Sequence, residues 1–213
     1  MNRELVYGRR PVQEVIRAGR RQILELRVTE RALASEPWLR DESGLRVHVE
    51  REGKLNELAA GARPLIACLD QVTDPHNLGA VCRSADGAGA TGVVVTEHKT
   101  ARVTPAVCRA SAGAVEHVHV GVVVNLARYL TGVKCADLWV WAAAGDAATP
   151  VWSADLATGA ALVFGAEGRG LRPLVRKSCD DAFSIPLAGA VESLNVSVAA
   201  GVALFEAARQ RRR

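Results

Sequence analysis

The sequence predicts an α/β protein whose main domain is built on a mostly parallel sheet. From about residue 64 onward, short apolar strands alternate with helical segments, which is typical of βαβ units. Several strands, such as Val93–Val95, are apolar without interruption, as expected for strands covered on both faces. Polar residues among glycines follow three of the strands. Since ligands of such sheets bind beyond the carboxyl ends of the strands, we expect one site there.

Apolar runs, caps and breakers assign the elements of this domain. The predicted strands are Leu65–Leu69, Gly92–Thr96, Glu116–Val120, Leu138–Ala142, Ala161–Phe164 and Ala182–Pro186. The predicted helices are Leu78–Gly89, Pro105–Ala112, Asn125–Thr131, Pro173–Ser178 and Leu194–Arg209. Strands and helices interleave, and only the fourth and fifth strands follow each other without a helix.

The first 60 residues have a different texture, rich in Arg and Glu with short apolar runs. They predict a small α/β unit of two or three strands. Its predicted elements are the helices Pro11–Ala18, Glu36–Asp41 and Lys54–Ala60 and the strands Ile23–Val28 and Leu45–Val49. The segment 59–64 reads as a linker. We therefore expect two domains, residues 1–60 and residues 64–213.

Composition narrows the function classes. The apolar runs are too short to span a membrane, and the polar start lacks the apolar core of a signal peptide, so a cytoplasmic protein is expected. Five cysteines without C-x-x-C spacing and five histidines without ligand spacing predict neither a disulfide framework nor a metal site. A net charge of +4, with arginines crowded near both ends, permits a nucleic-acid partner.

The first candidate locus opens the helix after the first strand. Asn77 lies where a helix N-cap is expected, and capping is its purely structural interpretation. Arg83 has Gly79 and Gly87 as its helical neighbours four residues away. Glycine weakens a helix, so the pair suggests space left for a ligand beside Arg83. The alternative is an ion pair between Arg83 and Asp86 on a solvated face.

The second locus is the glycine-rich loop that follows the strand Ala161–Phe164. The loop is neither a P-loop nor a dinucleotide fingerprint, and it carries Glu167 where phosphate-binding loops avoid an acid. A carboxylate among three glycines suits a ligand without phosphates. The alternative is an ordinary turn with a solvated Glu167.

The third locus joins the strand ending at Pro186 to a long Ala-rich helix. Ser193 lies near the predicted start of that helix, where a capping role is the structural alternative. The small residues Ser197, Ala200 and Gly201 predict close helix packing, for which a dimer interface is one setting. Three loci of this kind in one domain favour a single assembled site.

The three loci together resemble the three motifs of the SpoU-type (TrmH-like) RNA ribose methyltransferases, in order and at family spacing, over about residues 65–210. The residues that carry the resemblance are Asp74–Asp86, Phe164–Gly170, Ile185-Pro186 and Ser193–Ser197. Their wording is most similar to the branch that methylates a guanosine of 23S ribosomal RNA. The first domain, from Val6-Tyr7-Gly8, resembles the family's ribosomal-protein-like RNA-binding domain but lacks its His-Gln-Gly strand and longer connector.

The resemblance implies a SPOUT fold with a deep C-terminal trefoil knot, an obligate homodimer and S-adenosylmethionine as cofactor. The catalytic positions that it implies are Asn77, Arg83, Glu167, Ser193 and Asn195. The cofactor positions that it implies are Ala143, Gly165, Glu167, Gly168, Ile185, Pro186, Leu187, Leu194 and Asn195. Because a guanidinium stays protonated at working pH, we expect Arg83 to act electrostatically rather than as a base.

Three alternatives stay open at this point. One is a ribose methyltransferase that acts on tRNA or another RNA. Another is a non-catalytic RNA-binding protein with the same fold, which a shortened first domain weakly favours. A nicotinamide-dependent oxidoreductase is disfavoured, because the glycine fingerprint with an acid about twenty residues later is missing.

Overall fold

The computed structural model describes residue 6 and residues 9–20, 57–59, 62–134 and 137–212. In the first region it describes helix α1 (Arg9–Ala18), as predicted, and a 3₁₀ turn at Glu57–Ala59 within the predicted helix Lys54–Ala60. The predicted elements Ile23–Val28, Glu36–Asp41 and Leu45–Val49 lie outside the described residues.

The second region follows the predicted alternation closely. Its strands are β1 (Leu65–Asp70), β2 (Gly92–Thr96), β3 (His119–Val123), β4 (Leu138–Ala143), β5 (Thr149–Pro150), β6 (Gly159–Gly165) and β7 (Asp181–Ser184). Its helices are α2 (Pro75–Gly87), α3 (Pro105–Ala110), α4 (Leu126–Val133), α5 (Pro173–Lys177) and α6 (Val196–Arg211). Among these residues, no helix is long and apolar enough to cross a membrane.

The seven strands form one sheet in the order β3-β2-β1-β6-β4-β7-β5. Every pairing within it is parallel, which confirms the predicted α/β class. Strand β1 pairs with β6 over its whole length, from Leu65 opposite Ala160 to Asp70 opposite Gly165. Parallel pairing places the carboxyl ends of β1, β6, β4 and β7 at one edge of the sheet.

Two elements differ from the prediction. The third strand begins at His119 rather than Glu116, because Ala114–Glu116 form a 3₁₀ turn after Gly113, whose φ is 93°. Glu116 is buried and accepts a hydrogen bond from the Cys108 thiol at 3.6 Å, so it belongs to the core beside α3. The edge strand β5 was not predicted, since two residues are too short to produce a pattern.

The core has two layers, one on each face of the sheet. Alternate side chains of β1 separate them: Leu65 and Leu69 pack toward α2 and α6, whereas Ile66 and Cys68 pack toward α4 and α5. This alternation explains why the inner strands β1, β2 and β6 are almost wholly apolar, because both of their faces are buried. Strands β3 and β7, nearer the rims of the sheet, keep exposed positions.

Helix α1 packs against the second region of the chain. The Glu14 carboxylate lies 2.5 Å from Nε2 of His117, and the Arg20 guanidinium donates to the His117 carbonyl at 3.2 Å. A side chain on Gly113 would collide with Glu14, so the left-handed glycine also lets the helix approach. Helix α1 is therefore held on the surface formed by residues 105–117.

The last helix closes onto the beginning of the sheet. The Arg211 guanidinium donates to the carbonyls of Arg63, Pro64, Leu156 and Thr158. Burial among these groups lowers the pKa of Arg211. These four bonds satisfy carbonyls at the amino-terminal ends of β1 and β6, opposite the edge that carries the predicted site.

Candidate active site

Three of the five predicted catalytic residues meet in one hydrogen-bonded triangle. The Asn77 amide Nδ2 donates to Glu167 Oε1 at 2.8 Å. The Asn195 amide Nδ2 donates to the same Glu167 oxygen at 2.8 Å and to Asn77 Oδ1 at 3.0 Å. The triangle thus joins the loci that follow β1, β6 and β7. These loci are a single assembled feature, as predicted from their position at strand ends.

Asn77 is a helix residue rather than a helix cap. Asp74 caps α2, because its carboxylate accepts a hydrogen bond from the His76 backbone at 2.8 Å and Pro75 takes the first helical position. Asn77 lies one turn further on and is only 6% exposed. The structural interpretation of Asn77 as an N-cap is therefore wrong, and its buried amide is satisfied instead by Glu167 and Asn195.

Asn195 caps the long helix α6. Its Oδ1 accepts hydrogen bonds from the backbone N–H of Ser197 at 2.8 Å and from the Ser197 hydroxyl at 2.6 Å. The helix begins at Val196, so the capping role considered for Ser193 is wrong. Ser193 lies instead in an exposed loop, residues 186–193, and forms no hydrogen bond with another described residue. Asn195 combines a structural role with membership of the triangle.

The Glu167 loop is a tight turn whose shape requires its glycines. The Gly170 N–H donates to the Ala166 carbonyl at 2.8 Å, and Gly168 and Gly170 have φ values of 71° and 65°. A side chain on Gly165 would lie 2.1 Å from the Gly170 carbonyl carbon. The chain itself therefore fills the space beside Gly165. The turn presents the Glu167 side chain at its exposed tip.

An ion pair between a buried carboxylate and a partly exposed arginine anchors the far end of this loop. Asp70, at the end of β1, accepts hydrogen bonds from Nε and the backbone N–H of Arg172 at 2.8 and 2.9 Å. The Asp70 side chain is fully buried. Sequence reasoning missed this residue, although an acid that directly ends a buried apolar strand was a usable signal. The pair fixes the far end of the segment that carries Glu167, and the pairing of β6 with β1 fixes its near end.

Arg83 lies on the exposed surface of α2 and is not part of the hydrogen-bonded triangle. It forms neither the ion pair with Asp86 that was considered nor a hydrogen bond with any other described residue. Six residues separate it from Asn77, about 1.7 turns, so the two side chains leave different sides of the helix. The prediction that Gly79 leaves room for a ligand beside Arg83 is wrong. A side chain there would meet Ala110 at 2.5 Å, so the glycine serves the packing of α3.

The predicted cofactor positions cluster at the same edge of the sheet. Ala143 and Gly165 end the neighbouring strands β4 and β6. Ile185, Pro186 and Leu187 follow β7, which pairs with β4. Leu194 directly precedes Asn195, and Gly168 follows Glu167 in the glycine turn. The positions nearest the sheet are half-buried, and those in the loop after β7 are exposed.

Other reactive groups of the described residues are not part of this site. Cys82, inside the first motif, is completely buried, and burial raises the pKa of its thiol to about 12. A thiol with that pKa is protonated at neutral pH and is not a nucleophile. Within the described ranges, no group of three His, Cys, Asp or Glu residues lies close enough to hold a metal ion.

Comparison with known proteins gives a consistent picture. Residues 64–205 match the family described as SpoU rRNA Methylase family. The chain is 44% identical over 190 residues to the Vibrio vulnificus 23S rRNA (guanosine-2′-O-)-methyltransferase RlmB. The aligned residues cover 86% of this chain and 77% of that protein. It is 51% identical over 148 residues to RlmB of Pseudomonas putida, with 70% of this chain and 60% of that protein covered.

A solved structure agrees with these matches. The SpoU methyltransferase AviRb from Streptomyces viridochromogenes, in complex with the cofactor AdoMet, superposes with a TM-score of 0.78 at 25% identity. The superposition covers 97% of this chain and 90% of that one. The matched family and the shared fold agree with the three motifs that converge at Glu167. The chain belongs to the SpoU rRNA methylase family.

Proposed function

We propose that this protein transfers a methyl group from S-adenosylmethionine to the ribose 2′-hydroxyl of a guanosine in 23S ribosomal RNA. The observation that carries the proposal is the triangle of Asn77, Glu167 and Asn195, which assembles three family motifs at one edge of the sheet. The relatives with 44% and 51% identity are both named as 23S rRNA guanosine methyltransferases, which favours this RNA over tRNA.

The residues at the carboxyl ends of β4, β6 and β7 suit S-adenosylmethionine. They offer backbone groups at Ala143, Gly165 and Leu194, apolar surface at Ile185 and Leu187, and the carboxylate of Glu167 nearby. A carboxylate is compatible with a cationic ligand that lacks phosphates and is not compatible with a nucleotide phosphate. When bound, the cofactor supplies an electrophilic methyl group on a positively charged sulfur.

The side chains of the site divide the remaining work. Asn77, Glu167 and Asn195 position the ribose and the loops around it. Arg83 holds the phosphate beside the target ribose and stabilises negative charge that develops on the 2′-oxygen. In this proposal Arg83 acts through its charge and its N–H donors and does not remove the proton. Ser193, on the exposed loop before α6, is the fifth catalytic residue of this proposal.

We propose a homodimer formed through α6. Three large apolar side chains of this helix, Val198, Val202 and Phe205, are 50%, 37% and 51% exposed. Their spacing of four and three residues aligns them on one face, here called the α6 stripe. The other face of α6 is buried in the core, including Ala200 and Leu204. A helix that is apolar on both faces is expected to be covered on both.

The finer features of the fold belong to the same proposal. We expect the trefoil knot, which is supported by the chain path: β4 lies between β6 and β7, and α6 then returns to pack on β1 and β6. We expect residues 1–60 to form a small RNA-binding domain whose helix α1 packs against the second region. We also propose a cytoplasmic location, which a 23S rRNA substrate would support.

Methyl transfer from tritiated S-adenosylmethionine tests the function directly. Purified protein is incubated with unmodified 23S rRNA and, separately, with a tRNA pool, and the labelled nucleotide is then mapped. We expect label on the 2′-oxygen of one guanosine in 23S rRNA. Label in tRNA alone would support the tRNA alternative. Binding of RNA without any transfer would support the non-catalytic alternative.

A further inference from the structure

We infer that Ser197 is a positioning residue of the site, acting through Asn195 on the Glu167 carboxylate. The predicted effect of Ser197 on kcat rests on the proposed function. Its effect on the orientation of Asn195 rests only on the hydrogen bonds between them. Ser197 is the second residue of α6 and touches neither Glu167 nor Asn77 through a hydrogen bond. Its hydroxyl and backbone N–H both donate to Asn195 Oδ1, at 2.6 and 2.8 Å.

These two bonds fix which way the Asn195 amide points. An asparagine side chain has an oxygen that accepts and an NH₂ that donates, and the two look alike in shape. With Oδ1 held by two donors of Ser197, the NH₂ group must face the site. The reverse orientation would set the NH₂ group against the Ser197 N–H and the oxygen against the Glu167 carboxylate. Both contacts would be repulsive.

The orientation of Asn195 in turn determines how the Glu167 carboxylate is held. Both NH₂ hydrogens of Asn195 are used, one on Asn77 Oδ1 and one on Glu167 Oε1. Glu167 Oε1 also receives the Asn77 amide. One carboxylate oxygen is thus doubly bound, while Oε2 has no hydrogen bond to any other described residue and belongs to an exposed side chain. The network therefore leaves Oε2 free for a ligand.

Ser197→Ala removes one of the two donors that orient Asn195 and leaves the backbone N–H. One hydrogen bond is equivalent to about a 2- to 10-fold change in rate, so kcat is expected to fall by that factor. Ser197→Thr keeps the hydroxyl and is expected to restore kcat. The matched control is Ser178→Ala, which removes a hydroxyl donating to the Leu174 carbonyl at the end of α5. Its kcat is expected to equal that of the wild type.

A second measurement does not depend on catalysis. Exchange of the Asn195 side-chain amide protons with solvent, followed by NMR, is expected to be faster in Ser197→Ala than in the wild type and normal in Ser197→Thr. Unchanged exchange in Ser197→Ala would overturn the inference, as would a kcat loss that Ser197→Thr fails to restore. If the wild type transfers no methyl group to any RNA, the proposed function fails, while the exchange rates still decide the role of Ser197.

Discussion

At the scale of single residues, Asn195 holds two functions that one substitution separates. Asp caps helices as well as Asn does, so Asn195→Asp keeps the bonds from Ser197. It also places a second carboxylate where the Asn195 amide now lies 2.8 Å from Glu167 Oε1. We expect thermal stability close to that of the wild type and a loss of methyl transfer of at least about tenfold, since like charges at this distance repel.

Asn195→Ala serves as the comparison, because it removes the cap and the triangle together. It should lower the free energy of unfolding by about 1 kcal/mol through loss of the cap. Full activity of Asn195→Asp in the tritium assay would contradict a requirement for the triangle.

The buried Cys82 thiol makes stability depend on alkaline pH. Burial raises its pKa from 9.0 to about 12, so the folded protein keeps a proton that the unfolded chain releases above pH 9. The stabilisation is complete below pH 9 and is lost as pH rises toward 12. Between pH 9.5 and 10.5, a window that lies between these two pKa values, the free energy of unfolding of the wild type should fall as pH rises. We expect this fall to be smaller in Cys82→Ala, by up to about 1.4 kcal/mol per pH unit.

Denaturant titrations at several pH values measure this slope. Val81→Ala, which empties an equally buried position without a titratable group, should be less stable than the wild type but keep its slope. Equal slopes for Cys82→Ala and the wild type would show that another group governs the alkaline behaviour.

The cap of α2 could have been predicted from the sequence, and the triangle could not. Asp74 and Asn77 are both good capping residues, but a proline favours the first helical position, so Pro75 already pointed to Asp74. Contact between Asn77 and Asn195 joins residues 118 positions apart. Spacing along the chain could place both at one edge of the sheet, and only the packed structure shows which atoms meet.

At the scale of elements, the packing of α2 against α3 depends on Gly79. A side chain there would lie 2.9 Å from the Val107 carbonyl and the Ser111 N–H, which are backbone groups that cannot move alone. We expect Gly79→Ala to lower the free energy of unfolding by roughly 1–3 kcal/mol, the usual cost of overpacking a core. The measurement is chemical denaturation at neutral pH.

Gly132→Ala is expected to change the free energy of unfolding in the opposite direction from Gly79→Ala. Gly132 lies in α4, is exposed, and has nothing within 4 Å of the position of an added side chain. The substitution should stabilise the protein by about 0.5–1 kcal/mol through helix propensity. A loss for both variants would mean that helix propensity does not act as expected here.

Elements were the most predictable level of this structure. Continuous apolar strands between helical segments identified six of the seven described strands, because the apolar pattern reflects burial on both faces. The start of β3 was misplaced because Glu116, a charged residue before an alternating run, is itself buried beside Cys108. Local sequence does not reveal that a charged residue has found a buried partner.

At the scale of the whole molecule, the α6 stripe predicts how two copies associate. Phe205 is 51% exposed, so Phe205→Glu should leave the fold of the single chain intact while charging the proposed interface. We expect the wild type to sediment as a dimer and Phe205→Glu as a monomer with greatly reduced activity. Leu174→Glu, which charges the exposed apolar Leu174 on α5 instead, should remain a dimer. A monomeric wild type would refute the proposed assembly.

The hydrogen bonds of Arg211 to four backbone carbonyls bear on the order in which parts of the fold form during translation. The carbonyls of Arg63 and Pro64 accept hydrogen bonds from the Arg211 guanidinium, which is translated almost 150 residues later. Strand β1 is likewise incomplete until β6 has emerged and paired with it. A nascent chain therefore leaves one edge of β1 unpaired until β6 has emerged, because β2 covers only the other edge. Such long-range pairing folds slowly. Shielding by chaperones should therefore matter most for this protein before β6 leaves the ribosome.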